Sequence, residues 1–145
     1  MKISDLLESE QPIYYFAYGM LTDPDQMQGA ELVGKAELNN FVFEMYCYAN
    51  VFPKTGSKVY GSLWNINRKL LHQLDMVEGY PSLYDRKTVP VFADGKRYEA
   101  QVYTMTPETR EDVQDTDPSK GYINRLIRGY NNAGIPMQQL ENSLK

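Results

Sequence analysis

The chain has 145 residues, which suits one domain spanning 1–145. A formal charge of −4 and a pI near 5.0 lack the basic footprint of a nucleic-acid binder. With one cysteine, Cys47, and one histidine, His72, an internal disulfide and a zinc site of the usual Cys/His kind are excluded. A Ser-His-Asp or Cys-His triad would have only His72 to draw on, and no GxSxG elbow is present. Carboxylates, the twelve tyrosines and backbone groups remain as chemical actors.

Residues 1–11 form a polar, acidic lead unlike a secretory signal, expected to be loose or a single helical turn. No apolar run nears the roughly 20 residues needed to span a bilayer, so the sequence reads as cytoplasmic with no membrane partner. Ile13 to Tyr18 (IYYFAY) predicts a buried strand ended by Gly19. Asp23-Pro24 reads as an N-cap with Pro in the first turn, opening a short helix through Met27. Strands are expected over 32–39 and 41–52, the second holding Cys47 as a small buried hydrophobe. A turn follows at 53–57 (PKTGS), then a strand over 59–66.

Asn67 is expected to cap a helix to about Val77, with Leu70, Leu71, Leu74 and Val77 on its apolar face and Gly79 as its left-handed stop. His72 falls on this helix and is not expected to do chemistry. Tyr80, ahead of Pro81, is expected to be extended. Residues 84–93 and 96–105 flank Asp94-Gly95, a hairpin signal, with Pro90 marking an exposed edge or bulge. Residues 106–117 read as an acidic loop. Asp117-Pro118 reads as a second N-cap with first-turn Pro, opening a helix that buries Tyr122, Ile123, Leu126, Ile127 and Tyr130. Gly134 stops it, and a short last helix follows Ile135-Pro136. The order predicts an α+β fold with a mixed sheet curling toward a barrel.

Two stretches stand apart. In FAYGML (16–21), a glycine at a strand end lets backbone N–H groups form a concave donor site, although an ordinary strand-to-helix turn has the same composition. In LDMVEGYPSLYDR (74–86), Asp75 and Glu78 share a helix face. Glu78 would sit in the last turn, where the negative helix end raises a carboxyl pKa. A Glu brought toward neutrality suits proton transfer near pH 7. A solvated carboxylate on a helix end is the plainer alternative.

These blocks occur in one order with others. FAYGML resembles a strand-ending YGSL or YGSNL loop, and TDPDQM the short Pro-led helix after it. VYGSLWNINRKLLHQLDMVEGYPSLYDR resembles a strand, helix and LDxxEG block with its following Tyr. PSKGYINRLIRGYNNAGIP resembles a closing helix with a PSxxY start and GxP end. Together they resemble the gamma-glutamylcyclotransferase-like superfamily across nearly the whole chain. The resemblance implies a small, partly closed β-barrel with flanking helices and an enzyme that cyclises the gamma-glutamyl group of a small substrate to 5-oxoproline. It implies that Glu78 is the acid–base residue and that Tyr18, Gly19, Met20 and Leu21 form the substrate-binding loop. It places Tyr84 beside the pocket and Tyr122 at its rim. It implies no metal and no organic cofactor, and it is compatible with a homodimer.

Two departures bear on function. Met20 replaces the usual small hydroxyl residue, and the loop is one residue shorter than the YGSNL form. The PSLYDR stretch resembles the gamma-glutamylamine branch, whereas the closing helix resembles the gamma-glutamyl-amino-acid branch, so the leaving group stays open. A binding module that holds a gamma-glutamyl-like ligand without turnover is the alternative, and a tyrosine-faced interaction domain a third.

Overall fold

The computed structural model describes Ile3 and residues 11–144, so the N-terminal lead falls almost wholly outside the described residues. The aromatic run folds as strand β1 (Ile13–Ala17). Its alternating side chains enter two apolar clusters, Phe16 in one and Tyr15 and Ala17 in the other. Both faces are covered, which is why the segment reads as continuously apolar. After Gly19 come two 3-10 turns, Met20–Thr22 and Pro24–Gln26, rather than one helix. The Asp23 carboxylate caps the second by accepting from Asp25 N–H at 3.0 Å.

Strands β2 (Glu31–Met45) and β3 (Ala49–Ile66) form one long hairpin, and here the expectation is corrected. The chain reverses at residues 46–48, inside the stretch read as one strand, and not at 53–57. Phe41 pairs with Pro53, whereas Asn39 pairs with Lys58, so Asn40 alone faces residues 54–57 across a bulge. Asn40 and Gly56 take positive φ of 63° and 88°, and Asn40 Oδ1 accepts from Gly56 N–H. The Pro-Gly signal is genuine but marks a bulge. The true reversal lacks turn residues and is held by tertiary contact: Cys47 N–H donates to Thr116 Oγ1 at 3.0 Å.

Helix α1 (Arg68–Glu78) begins at Asn67, whose side chain accepts from Leu70 N–H, and ends at Gly79 with φ 66°. Leu71 and Leu74 are buried, but Val77 is 78% exposed, against expectation. Its neighbour Met76 is also exposed, so the apolar stripe of α1 is not covered in its last turn. The Tyr80–Pro81 peptide that follows is cis. Strands β4 (Tyr84–Ala93) and β5 (Lys96–Met105) pair along their full length about Asp94-Gly95. Pro90 is exposed and faces Glu99; on its other side β4 meets β2 only at Phe92, opposite Glu37.

The sheet order is β1-β3-β2-β4-β5, and β5 returns to β1 in parallel through Tyr14–Ala100 and Tyr15–Gln101. The sheet therefore closes as a barrel, a step beyond the partial closure expected. Residues 106–117 are corrected from loop to helix α2 (Pro107–Val113), capped by Thr106 with Pro107 in the first turn. Helix α3 (Lys120–Ala133) is capped by Ser119, not Asp117, because the Ser119 hydroxyl accepts from Tyr122 N–H at 3.1 Å. Pro118 thus precedes the cap. Tyr122, Leu126, Gly129 and Tyr130 are buried, with Ile123 and Ile127 half-buried. Gly134 ends the helix with φ 72°, and α4 (Met137–Ser143) follows.

Phe16, Leu38, Val51, Val59, Leu63 and Val102 fill the barrel beneath Leu126 and Tyr130 of α3. Tyr15, Trp64 and Tyr103 pack outside it against Leu71 and Leu74 of α1. Each such side chain contributes about 1.5–3 kcal/mol by burial. Two helices thus grip the barrel at the end of β1, and the segment between them is the YGML loop. Among the described residues, no helix is long and apolar enough to cross a membrane.

Candidate active site

The loop after β1 is held by its carbonyls. Tyr130 Oη donates to the Tyr18 carbonyl at 2.9 Å. The Gly19 carbonyl accepts from both the N–H and the hydroxyl of Thr22, at 3.1 and 2.8 Å. The Thr22 carbonyl accepts from Ser62 Oγ, which itself accepts from Trp64 Nε1. The VYGSLW segment of β3 therefore fastens the loop. With the carbonyls engaged, the N–H groups of Gly19, Met20 and Leu21 have no turn, loop or side-chain acceptor among the described residues. The Met20 side chain packs against the main core cluster. The side chain at position 20 therefore offers the cavity no hydrogen-bonding group.

Residues 19–21 line a cavity of about 500 Å³. Tyr18, Gly19, Met20, Leu21, Glu78, Tyr84 and Tyr122 all line it, so the fold brings together residues 104 positions apart in sequence (18 to 122). A larger hollow of about 710 Å³ lies across α2. Its guanidinium, Arg110, is spent on Glu44 at 2.7 and 3.0 Å and stacks over Phe52. Chemistry, not size, therefore singles out the smaller cavity.

Among the described residues the Glu78 carboxyl has no hydrogen-bond partner and no cation beside it. Burial pushes its pKa up to about 7. The negative end of α1 acts in the same direction, but burial is the dominant cause. The turn that carries Glu78 is anchored by Asp75, one turn earlier. The Asp75 carboxylate takes Arg86 in a fork at 2.8 and 3.2 Å and accepts from Tyr103 Oη at 2.6 Å. Arg86 also stacks over Tyr80 at 4.9 Å. The two carboxylates of the shared helix face thus divide their work: Asp75 is paired with β4 and β5, and Glu78 faces the cavity unpaired.

The tyrosines also divide. Tyr18 Oη donates to the Tyr103 carbonyl at 2.7 Å, so this residue gives the cavity a wall and not a free hydroxyl. Tyr84 Oη donates to the Ala49 carbonyl at 2.9 Å, while Tyr122 Oη accepts from Ala49 N–H at 3.0 Å. Together they clamp both sides of residue 49 and fix the reversal at 46–48. The Tyr122 proton remains available to a ligand, whereas Tyr84 can only accept. Burial raises the pKa of Tyr122 to about 12 and that of Tyr84 further, and the Glu78 charge adds to both. Both stay protonated through the working range.

Several lining residues escaped the sequence reading. Tyr15 is buried close enough to Glu78 for that charge, after burial itself, to raise its pKa. Its position in an unbroken aromatic run hid which face it serves. Thr109 and Val113 line the cavity from α2. Their i, i+4 spacing is visible in the sequence, but the acidic residues around it read as a loop. Cys47 lines the cavity and is half-exposed, not the buried hydrophobe expected. His72 is exposed on α1 and stands outside the cavity lining. Among the described residues, no group of three or more His, Cys, Asp or Glu side chains could hold a metal.

Helix α3 presses on the loop at Gly129. A Cβ there would lie 2.7 Å from Thr22 Oγ1 and 3.2 Å from Asp23 Cβ. Gly129→Ala is expected to cost about 1–3 kcal/mol by overpacking. A urea titration checks it, and an unchanged midpoint refutes the close fit.

A family model described as gamma-glutamyl cyclotransferase, AIG2-like, matches residues 15–124, a span that contains every lining residue named above. A Methanocaldococcus jannaschii protein provisionally named a gamma-glutamylcyclotransferase is 29% identical over 121 residues, covering 75% of this chain and 97% of its own. Human gamma-glutamylcyclotransferase is 27% identical over 150 aligned positions, covering 91% of this chain and 77% of its own. A solved gamma-glutamyl cyclotransferase structure matches with a TM-score of 0.76 over 92% of this chain and 86% of its own, at 22% identity, a likeness of fold. On the matched span and the closed barrel, the chain belongs to the gamma-glutamyl cyclotransferase, AIG2-like family.

Proposed function

We propose that the protein cyclises the gamma-glutamyl group of a small substrate to 5-oxoproline and releases an amine or amino acid. The observation that carries this reading is the half-buried Glu78 carboxyl, which has no hydrogen-bond partner among the described residues and a pKa pushed up to about 7. It lies in one cavity with residues 19–21, whose N–H groups have no turn, loop or side-chain acceptor among the described residues. The human and archaeal relatives bear names for this activity.

In this reading the substrate supplies both reactants. Its α-amine attacks its own γ-carbonyl carbon, so no enzyme nucleophile is needed. Holding the two ends together is powerful, since well-oriented intramolecular reactions reach effective molarities of about 10⁵–10⁸ M. The ionised Glu78 takes the proton that the amine loses as the new C–N bond forms. Negative charge moves to the former carbonyl oxygen, where the loop N–H groups and the Tyr122 hydroxyl are the available donors. Removing one such donor typically costs about 2.7–4 kcal/mol. Glu78 then returns its proton to the departing nitrogen as the old C–N bond breaks. Proton and charge balance without any second reactant, and a cytoplasmic supply of gamma-glutamyl compounds suits the reaction.

The test is to incubate the purified chain with gamma-glutamyl compounds and measure 5-oxoproline across pH. Ionised Glu78 is the active form of the free enzyme. The expected result is a kcat/KM that rises with pH, with a midpoint near 7. Thermal stabilisation by the same compounds with no 5-oxoproline would instead identify a binding module on this fold.

A further inference from the structure

The cavity has a buried floor and an exposed mouth, and the two differ in chemistry. Tyr15, Tyr18 and Tyr122 lie on the floor, each less than a tenth exposed. The mouth is made by Tyr48, Val77 and Leu83, which are 57%, 78% and 56% exposed. They come from three separate segments: the reversal between β2 and β3, the C-terminal turn of α1, and the stretch before β4. Exposed though they are, they are held in place. Leu83 N–H donates to the Gly79 carbonyl at 2.8 Å, and its own carbonyl accepts from Thr106 N–H at 3.1 Å. The Tyr48 ring meets Tyr122 edge-on at 5.5 Å. Val77 directly precedes Glu78 on the helix.

Among the described lining residues, Glu78 is the only carboxylate, and no lysine, arginine or histidine is present. If the γ-carbonyl reacts beside Glu78 and the loop N–H groups, the departing amine extends toward the mouth. It meets apolar surface there, and any added negative charge meets Glu78 without a counter-ion. We infer that Tyr48, Val77 and Leu83 form a leaving-group subsite that favours amines bearing a branched or aromatic apolar side chain over those bearing an acidic one. This rests on the cyclotransferase reading above. Burying an apolar side chain against such a rim removes its surface from water, whereas a carboxylate there loses hydration and is repelled.

The test compares kcat/KM for 5-oxoproline release from gamma-glutamylleucine and gamma-glutamylaspartate, which have side chains of similar size. The leucine compound is expected to be favoured by about tenfold or more, the scale on which apolar pockets discriminate. Val77→Lys places a cation at the mouth on an exposed position where folding is little affected. It is expected to narrow that preference by about tenfold, the same scale. A urea midpoint equal to that of the parent controls for folding. Equal rates for the two compounds, or a preference unchanged by Val77→Lys, overturn the subsite while leaving the reaction intact. Absence of 5-oxoproline from every gamma-glutamyl compound instead overturns the reaction itself.

Discussion

Glu78→Gln is expected to abolish measurable 5-oxoproline formation while leaving the barrel folded. The amide keeps the shape of the side chain and removes its ability to exchange a proton with the substrate amine. General acid–base groups typically contribute about 10²–10⁴ in rate, and here one group serves both steps. The same substitution is expected to stabilise the protein above neutral pH. Between about pH 4.5 and 7 the folded chain holds the Glu78 proton while the unfolded chain has released it. The folded state then binds more protons, so stability is whole below pH 4.5 and declines as pH rises to 7. The loss is on the order of 3 kcal/mol at 1.36 kcal/mol per pKa unit. Melting Glu78→Gln and the parent at pH 4 and pH 8 should show them level at the first and the variant higher at the second. Full turnover by the variant would end the acid–base assignment. Equal melting at pH 8 would show that the carboxyl is solvated.

Where local chemistry decides a feature, the sequence reveals it. Asn67 and Gly79 bracket α1 because a side-chain cap and a left-handed stop act within a few residues. Asp94-Gly95 sets the β4–β5 hairpin because both residues tolerate positive φ, at 54° and 78°. The reversal at 46–48 is hidden because its determinants are distant. Thr116 binds Cys47, and Tyr84 and Tyr122 hold Ala49. With no turn residue there, the Pro-Gly pair at 53–57 drew the expectation away, although its real task is a bulge. The first helix after β5 was missed for another reason. Thr106-Pro107 is the same kind of cap signal as Asp23-Pro24, but its acidic surroundings read as loop.

The site follows the same division. The YGML loop and the LDMVEG block were legible because a glycine at a strand end and a carboxylate at a helix end are local patterns. What makes them a site is not local. The loop is fastened through its carbonyls by Tyr130, Thr22 and Ser62, which come from α3, the loop itself and β3, and its N–H groups take no part in that fastening among the described residues. The reason for the raised pKa of Glu78 also changes. The helix end was the visible cause in the sequence, whereas burial, which only the assembled cavity creates, is the larger one.

Asp75→Ala is expected to cost about 3 kcal/mol, the low end for removing one partner of a buried ion pair, because both side chains are part-buried. For a chain of this size that corresponds to a fall of about 10 °C in Tm. Asp75 and Arg86 are 14% and 22% exposed at their side chains, so the guanidinium left behind is poorly solvated. Tyr103 Oη would also lose its acceptor. Asp75→Asn keeps an acceptor for Tyr103 and removes only the charge, so it is expected to cost less than the alanine change. The functional consequence is separable from the stability loss. Asp75 fastens the final turn of α1 to β4 and β5, and Glu78 is buried by that turn's position. If the anchor is released, Glu78 meets water and its pKa falls from about 7 toward 4.5. The midpoint of the pH–rate profile should then move to lower pH in Asp75→Ala, with kcat reduced because a weaker base faces a loosely held amine. A lower Tm with the midpoint still near 7 would mean that Asp75 supports the fold without setting the environment of Glu78. An unchanged Tm would mean that the fork with Arg86 does not form in solution.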